Sequence, residues 1–175
     1  MLNGVEDRLS FLVQNARDLV DCGYYSRGTD RCAKGAGNGR RLLSGSLLSS
    51  AEFPIVAEVK LASPAVGRLS VHMAEELIED YRLGGAAALS VITEPRFFQG
   101  SLRYLDMAAR SGLPVMMKDF VVDGAQLRAA SRMGASAVLL IQGVFGMGQA
   151  DQRDRLISEA HQLGLEVVLE SSSLE

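Results

Sequence analysis

The stretch Ala57-Glu58-Val59-Lys60-Leu61-Ala62-Ser63-Pro64 begins as strand-forming sequence, ends in charged residues and then breaks into a loop. Met117-Lys118-Asp119-Phe120 repeats this pattern later in the chain. Parallel α/β proteins place their catalytic residues at such transitions from strand to loop. The two stretches therefore predict an enzyme built on parallel strands.

Five short apolar runs follow Glu52 and alternate with helical patterns. Their richness in Val, Ile, Leu and Met is typical of parallel strands that are buried on both faces. The predicted strands are Pro54–Lys60, Ala87–Thr93, Pro114–Asp119, Ala137–Gln142 and Glu166–Glu170. The predicted helices between them start near Met73, Ser101, Asp123 and Asp151, and Gln126 stands at the capping-box position after Asp123.

Two α/β architectures fit this alternation, a doubly wound open sheet and a TIM (β/α)8 barrel. Side chains alternate along a strand, so Val56, Glu58 and Lys60 share one face of the first predicted strand. Two charges on one face fit the polar mouth of a barrel, because burying them unpaired under helices would be costly. No Gly-x-Gly-x-x-Gly follows this strand, which argues against a dinucleotide-binding open sheet. We therefore expect the barrel.

The region before the strands has a different character. Residues 5–20 carry apolar side chains at three-and-four spacing, which predicts an amphipathic helix. From Gly23 to Ser50 the composition shifts to glycine, serine and arginine, which predicts a loop with solvated basic side chains. We expect residues 1–50 to form an N-terminal helix and a glycine-rich loop, and residues 51–175 to form a partial barrel with strands one to five.

Composition narrows the possible partners. The chain has 175 residues, of which 47% are hydrophobic, and this suffices for one globular domain. Its net charge of −3 provides no basic field for nucleic acid, so local lysines would have to attract a small anionic substrate. No run approaches the roughly 18 apolar residues of a membrane span, and Cys22 and Cys32 lack metal or redox spacing. We expect a cytoplasmic protein with no nucleic-acid or membrane partner.

Four stretches, in order, resemble the indole-3-glycerol-phosphate synthases of tryptophan biosynthesis. They are Ile55–Lys60 with Ala62-Ser63-Pro64, then Gly84–Glu94, then Phe97-Phe98-Gln99-Gly100-Ser101, and then Met117–Phe120. The similarity extends over residues 54–170, whereas the segment before residue 50 matches only loosely. Four ordered motifs form a more specific signal than any one of them alone.

The resemblance implies a TIM (β/α)8 barrel lyase, specifically a decarboxylase, that needs no cofactor or metal. Such enzymes close the indole ring of 1-(2-carboxyphenylamino)-1-deoxyribulose 5-phosphate and release carbon dioxide and water. The residues suit this chemistry, because attack of an aromatic carbon on a ketone needs an acid to protonate the developing alkoxide. A lysine held beside a second cation can serve as that acid.

The resemblance also implies the catalytic roles. Lys118 matches the general acid of the family, and Glu170 matches its general base. Glu58 matches the carboxylate that pairs with these groups and steers the substrate amine. Lys60 matches the cation that holds a carboxylate or phosphate of the substrate, although the proton-transfer roles of the two lysines are open to exchange.

Three further residues match substrate-binding positions. Phe98 and Phe120 resemble walls that stack on the anthranilate ring, and Ser63 matches a polar contact to substrate. Leu61 and Val66 depart from the family pattern, since basic residues are common at both positions. Lys60 therefore has less cationic support here than is usual in the family.

The length of the pattern is the largest departure. A (β/α)8 barrel usually needs about 250 residues, and the pattern here reaches only the fifth strand. We expect the N-terminal five-strand portion of such a barrel, which alone would have little activity and would self-associate through its open edge. Two alternatives stay open: another sugar-phosphate barrel enzyme such as phosphoribosylanthranilate isomerase, and an inactive partial-barrel module that needs a complementing chain.

Overall fold

The computed structural model describes residues 5–26, 41–50, 53–69, 73–145 and 150–172. The strands are β1 (Val56–Val59), β2 (Ala62–Ser63), β3 (Gly67–Arg68), β4 (Ala88–Ile92), β5 (Val115–Lys118), β6 (Ala137–Ile141) and β7 (Glu166–Glu170). The helices are α1 (Val5–Asp21), α2 (Leu43–Leu48), α3 (Ala74–Leu83), α4 (Leu102–Ala109), α5 (Gly124–Arg132) and α6 (Ala150–Gln162), with 3-10 turns at Tyr24–Ser26 and Gln142–Val144. Residues 27–40, which hold half of the predicted glycine-rich loop and most of its basic side chains, lie outside the described residues.

The main sheet has five parallel strands in the order β1-β4-β5-β6-β7. Successive strands of this sheet are neighbours in space, and one helix, α3 to α6 in turn, lies in each connection. A doubly wound sheet would instead reverse its strand order at a switch point. The sequential order confirms the predicted TIM-barrel architecture, and each predicted strand contains the observed one.

The two faces of the sheet meet different surroundings. Leu89 and Met117 belong to the main core, which the sheet forms with the helices. Ala88 and Met116 point the other way and join a smaller cluster that also contacts Val168. The barrel-interior face of the sheet is therefore apolar toward the start of the strands, which leaves its charged residues at their carboxyl ends.

Helix α1 confirms the predicted amphipathic helix. Val13, Ala16 and Leu19 lie buried on one side of it, as their three-residue spacing requires. Helix α1 therefore packs on the body of the fold through a single apolar stripe.

Across the described ranges, no helix has both the length and the apolar character needed to cross a membrane.

The predicted capping box of α5 is confirmed, and it reaches toward the end of β5. Asp123 accepts the N–H of Ala125 at 2.7 Å, and the side-chain oxygen of Gln126 accepts the N–H of Asp123 at 3.2 Å. Gln126 is fully buried and also donates to the carbonyl of Phe120 at 3.0 Å. The cap thus fixes the backbone directly after β5, as well as the start of the helix.

Helix α2 was not predicted, since Gly23 to Ser50 was expected to be a loop. Leu43 is buried against the interior cluster, and Leu47 packs beside it one turn later. Glu166 of β7 accepts the N–H of Leu43 at 2.5 Å and the N–H and hydroxyl of Ser44. Because a carboxylate satisfies the free N–H groups of a helix start, this remote residue supplies the cap that the local sequence lacks.

We expect Glu166→Ala to lower the free energy of unfolding by about 1–2 kcal/mol, the usual cost of losing a helix cap. Chemical denaturation measures this change. Glu170→Ala is the matched control, because it removes the same side chain from the exposed end of the same strand. An equal loss in both variants would show that Glu166 does not act through α2.

Candidate active site

Three charged side chains meet where β1 and β5 end. Glu58 lies on β1, Lys60 follows that strand directly, and Lys118 is the last residue of β5. The Nζ of Lys118 donates to Oε2 of Glu58 at 2.6 Å, and the Nζ of Lys60 lies 3.0 Å from Oε1. Glu58 therefore holds one ammonium group with each carboxylate oxygen.

Glu58 is an anion in this arrangement. Partial burial raises its pKa, but the hydrogen bonds from Lys118 and Lys60 lower it, and the pKa lies below its usual range. The three side chains are between 29% and 37% exposed, so solvent screens the pairs and limits their contribution to stability. Their main effect is to orient two cations toward one mouth.

A small open pocket adjoins Lys118. The rings of Phe98 and Phe120 form part of its wall, with centroids 6.0 Å apart and planes tilted by 41°. Ile92 and Leu139 add aliphatic surface from the neighbouring strands. A planar apolar group can lie against these walls with its polar edge at the lysine.

The loop that carries Phe98 is folded around Glu94. This buried carboxylate accepts the N–H groups of Arg96, Phe97 and Phe98 at 2.8, 2.7 and 3.0 Å. The loop then turns through Gln99, whose φ of 54° is left-handed, into Gly100. A Cβ at Gly100 would lie 2.5 Å from the carbonyl oxygen of Ile92, so only glycine lets the loop return this close to β4.

Asp119 holds the loop that carries Phe120. Its Oδ1 accepts the N–H of Phe120 at 2.8 Å, and its Oδ2 accepts the hydroxyls of Tyr25 at 2.9 Å and of Thr93 at 2.5 Å. Asp119 belongs to the pocket lining, but its side chain is almost fully buried and its oxygens are taken up by these three donors. Asp119 therefore fixes this part of the pocket wall.

Burial perturbs the acids around this carboxylate. Burial raises the pKa of Asp119 to about 6, although hydrogen bonds from Thr93, Tyr25 and the Phe120 N–H oppose the rise, and the charge of Glu94 adds to it. Burial also raises the pKa of Tyr24 to about 12 and that of Tyr25 above its usual range, with Asp119 contributing to both. Both tyrosines are therefore neutral donors at physiological pH.

The other predicted site residues lie at the same end of the sheet. Ser63 is half-buried in a short β2–β3 hairpin that follows Lys60, and it pairs with Gly67. Glu170 ends β7, pairs with Ile141 and lies two strands away from β5. The structure thus brings Glu58, Lys60 and Lys118 into direct contact and places Ser63 and Glu170 at the same rim.

Sequence reasoning assigned no role to the two buried carboxylates. Glu94 and Asp119 both stand one or two residues beyond an apolar strand, and both lie in the stretches that carry the family resemblance. Their position was therefore a usable signal. Their partners Asn15 and Tyr25 were not recognisable, since they come from a region separated from them by 79 and 94 positions.

The mouth can supply and accept protons around a bound aromatic ring. Lys118 carries a donor at the edge of an apolar pocket, and Glu58 fixes its direction. A developing oxyanion near Lys118 would gain charge stabilisation and a proton source from one group. The arrangement suits acid-catalysed chemistry on a substrate with one aromatic and one anionic end.

Comparison with known proteins identifies relatives of the chain. The family model for indole-3-glycerol phosphate synthase matches residues 34–175. Indole-3-glycerol phosphate synthases from Burkholderia vietnamiensis (strain G4 / LMG 22486) and Burkholderia ambifaria (strain MC40-6) are each 45% identical over 118 residues, or 66% of this chain. The chain spans 44% of the length of each of these relatives.

The raised pKa of Asp119 predicts a pH dependence of stability. Because its folded-state pKa of about 6 exceeds the ordinary value of 3.8, its stabilising contribution is complete below about pH 4 and is lost as pH rises through 6. Between pH 4 and pH 8, we expect the free energy of unfolding of the wild type to fall by about 2–3 kcal/mol relative to that of Asp119→Asn. Denaturation of both proteins across this range measures the difference. A difference that stays constant with pH would contradict the assignment.

Proposed function

Since the chain belongs to the indole-3-glycerol phosphate synthase family, we propose that its mouth binds 1-(2-carboxyphenylamino)-1-deoxyribulose 5-phosphate and closes the indole ring. The observation that carries this proposal is the Lys118–Glu58 pair at 2.6 Å, set at the edge of a pocket walled by Phe98 and Phe120. The pair supplies an oriented proton donor, and the rings supply a surface for the anthranilate end.

Lys118 acts in this proposal as the general acid. The aromatic ring carbon that bears the carboxylate attacks the ketone carbon of the ribulose chain, and the ketone oxygen takes a proton from Lys118. Loss of carbon dioxide from the same ring carbon restores aromaticity. Departure of the hydroxyl as water, with loss of a proton, completes the indole.

Glu170, Lys60 and Ser63 act around this step. Glu170 stands at the rim on β7 and is proposed as the general base that removes the last proton. Lys60 is held by Glu58 at 3.0 Å, which suits a cation that binds a carboxylate or phosphate of the substrate. Ser63 lies in the hairpin beyond Lys60 and offers a hydroxyl to the same end of the substrate.

The substrate class suggests the setting. A sugar phosphate carries charge that prevents passage through a membrane, so we place the reaction in the cytoplasm, where such intermediates are retained. Phosphoribosylanthranilate isomerase is the less favoured alternative, because the family model that matches residues 34–175 is that of the synthase.

We expect Lys118→Met to reduce turnover by about 100-fold to 10,000-fold, the usual contribution of a positioned acid. Lys118→Arg should be nearly as impaired, because the guanidinium keeps the ion pair with Glu58 but does not release its proton. Fluorescence of the indole product measures turnover, both for this chain and for a chimera completed with the remaining βα units of a Burkholderia relative.

Lys60→Met is the matched comparison for this experiment. It removes the other lysine of Glu58, and we expect it to raise KM more than it lowers kcat, since binding is its proposed role. Near-normal turnover in Lys118→Met, with a large loss in Lys60→Met, would show that Lys60 and not Lys118 is the general acid.

We further propose that the chain self-associates through its sheet edges. In the described sheet, β1 and β7 are the outer strands, and Val56 and Leu169 on them are partly exposed apolar residues. Such edges offer unpaired backbone groups to another chain. Light scattering after size exclusion should show a species larger than 18.8 kDa that grows with concentration. A monodisperse monomer at all concentrations would contradict self-association.

A further inference from the structure

We propose that the segment from α1 to Tyr25 is a two-point clamp that sets the positions of the two aromatic walls of the pocket. Asn15 is one point, acting through Glu94 on the loop of Phe98. Tyr25 is the other, acting through Asp119 on the loop of Phe120. The clamp rests on the proposed function only in so far as the pocket takes an aromatic ring.

The first point is a buried contact between α1 and the loop after β4. The side-chain amide of Asn15 donates to Oε1 of Glu94 at 2.9 Å, and its oxygen accepts from Arg96 at 3.0 Å. Glu94 in turn holds the backbone N–H of Phe98 at 3.0 Å. Since Asn15 and Glu94 are both buried, this contact is protected from competing water. The position of α1 is thereby transmitted to Phe98.

The second point lies one turn beyond α1. The hydroxyl of Tyr25 donates to Asp119 at 2.9 Å, and Asp119 holds the N–H of Phe120 at 2.8 Å. The backbone of Tyr25 is fixed independently, because Arg132 of α5 donates to its carbonyl at 2.7 Å. The backbone of Tyr25 is therefore held in place by α5. The N–H of Phe120 is connected to Tyr25 through the carboxylate of Asp119.

The two points act on residues whose rings pair with each other in the wall of the pocket. The rings of Phe98 and Phe120 are 6.0 Å apart, and each follows a buried carboxylate in the chain. Glu94 and Asp119 belong to the pocket lining, whereas Asn15 and Tyr25 do not. Asn15 and Tyr25 are therefore positioning residues, which act on bound ligand through these carboxylates and the two rings.

The chain offers matched controls for both points. Tyr24 is adjacent to Tyr25, but its hydroxyl donates to the carbonyl of Thr93 at 3.0 Å and accepts the N–H of Leu102 at 3.3 Å. Gln14 precedes Asn15 on the exposed side of α1 and bonds within the helix to Asp18 at 3.0 Å. Tyr24→Phe is therefore the control for the Tyr25–Asp119 point, read at Phe120, and Gln14→Ala is the control for the Asn15–Glu94 point, read at Phe98.

The test compares Tyr25→Phe and Asn15→Ala with these controls in the 175-residue chain. Amide hydrogen exchange measured by NMR reports on each loop, with the N–H of Met117 in β5 as the reference for global opening. We expect Tyr25→Phe to speed exchange at Phe120 about tenfold, and Asn15→Ala to do so at Phe98, relative to that reference. Titration with anthranilate, followed by its own fluorescence, should show affinity lowered about fivefold in both variants and within about twofold of wild type in the controls.

Each result decides the proposal. Equal acceleration of exchange at Phe120 in Tyr25→Phe and Tyr24→Phe, or at Phe98 in Asn15→Ala and Gln14→Ala, would overturn it. Faster exchange at a loop that only matches the change at Met117 would also overturn it. Unchanged anthranilate affinity in the clamp variants, with a wild type that binds, would also overturn it. If the wild type does not bind anthranilate, the aromatic subsite of the proposed function fails, and loop-specific exchange still supports or rejects the clamp.

Discussion

Parallel pairing in chain order sets the register on which the site depends. Glu58 lies beside Ser90, Ser90 beside Met116, and Ile92 beside Lys118, so the interior face of three strands is fixed by two sets of ladder bonds. A slip of one residue would turn Glu58 toward the helices and separate it from Lys118. The apolar residues of the opposite face prevent this slip, because they would have to leave the core. The hydrophobic core thus determines where the charges meet.

The site uses charge in two different environments. Glu58 and its two lysines are about one-third exposed, where solvent weakens their attraction and lets substrate groups compete for them. Glu94 and Asp119 are buried, where each hydrogen bond is costly to lose. In the proposed reaction, the groups that exchange partners are thus the partly exposed ones, and the groups that hold the two loops are the buried ones.

Much of this arrangement was predictable from local sequence. Alternation along the first and third predicted strands placed Glu58 and Lys118 on one face, and Asp123 with Gln126 predicted the start of α5; the structure confirms both placements. The roles proposed for Glu170 and Ser63 stay predictions. Helix α2, the clamp partners and the β2–β3 hairpin were missed, because they depend on distant partners or on turns without a strong sequence signal. No window of sequence around Leu43 contains Glu166, which lies 123 positions away.

The contact between Leu43 and Glu166 also constrains the order in which the protein forms. Helix α2 is synthesised before the main sheet, but its cap belongs to β7, so the cap cannot form until most of the described chain has emerged. Closing so long a loop is entropically unfavourable until the intervening strands have paired. Helix α2 is thus synthesised before the residue that caps it. During that interval Leu43 and Leu47 lack part of the surface that buries them, since Val168 of β7 belongs to the same cluster.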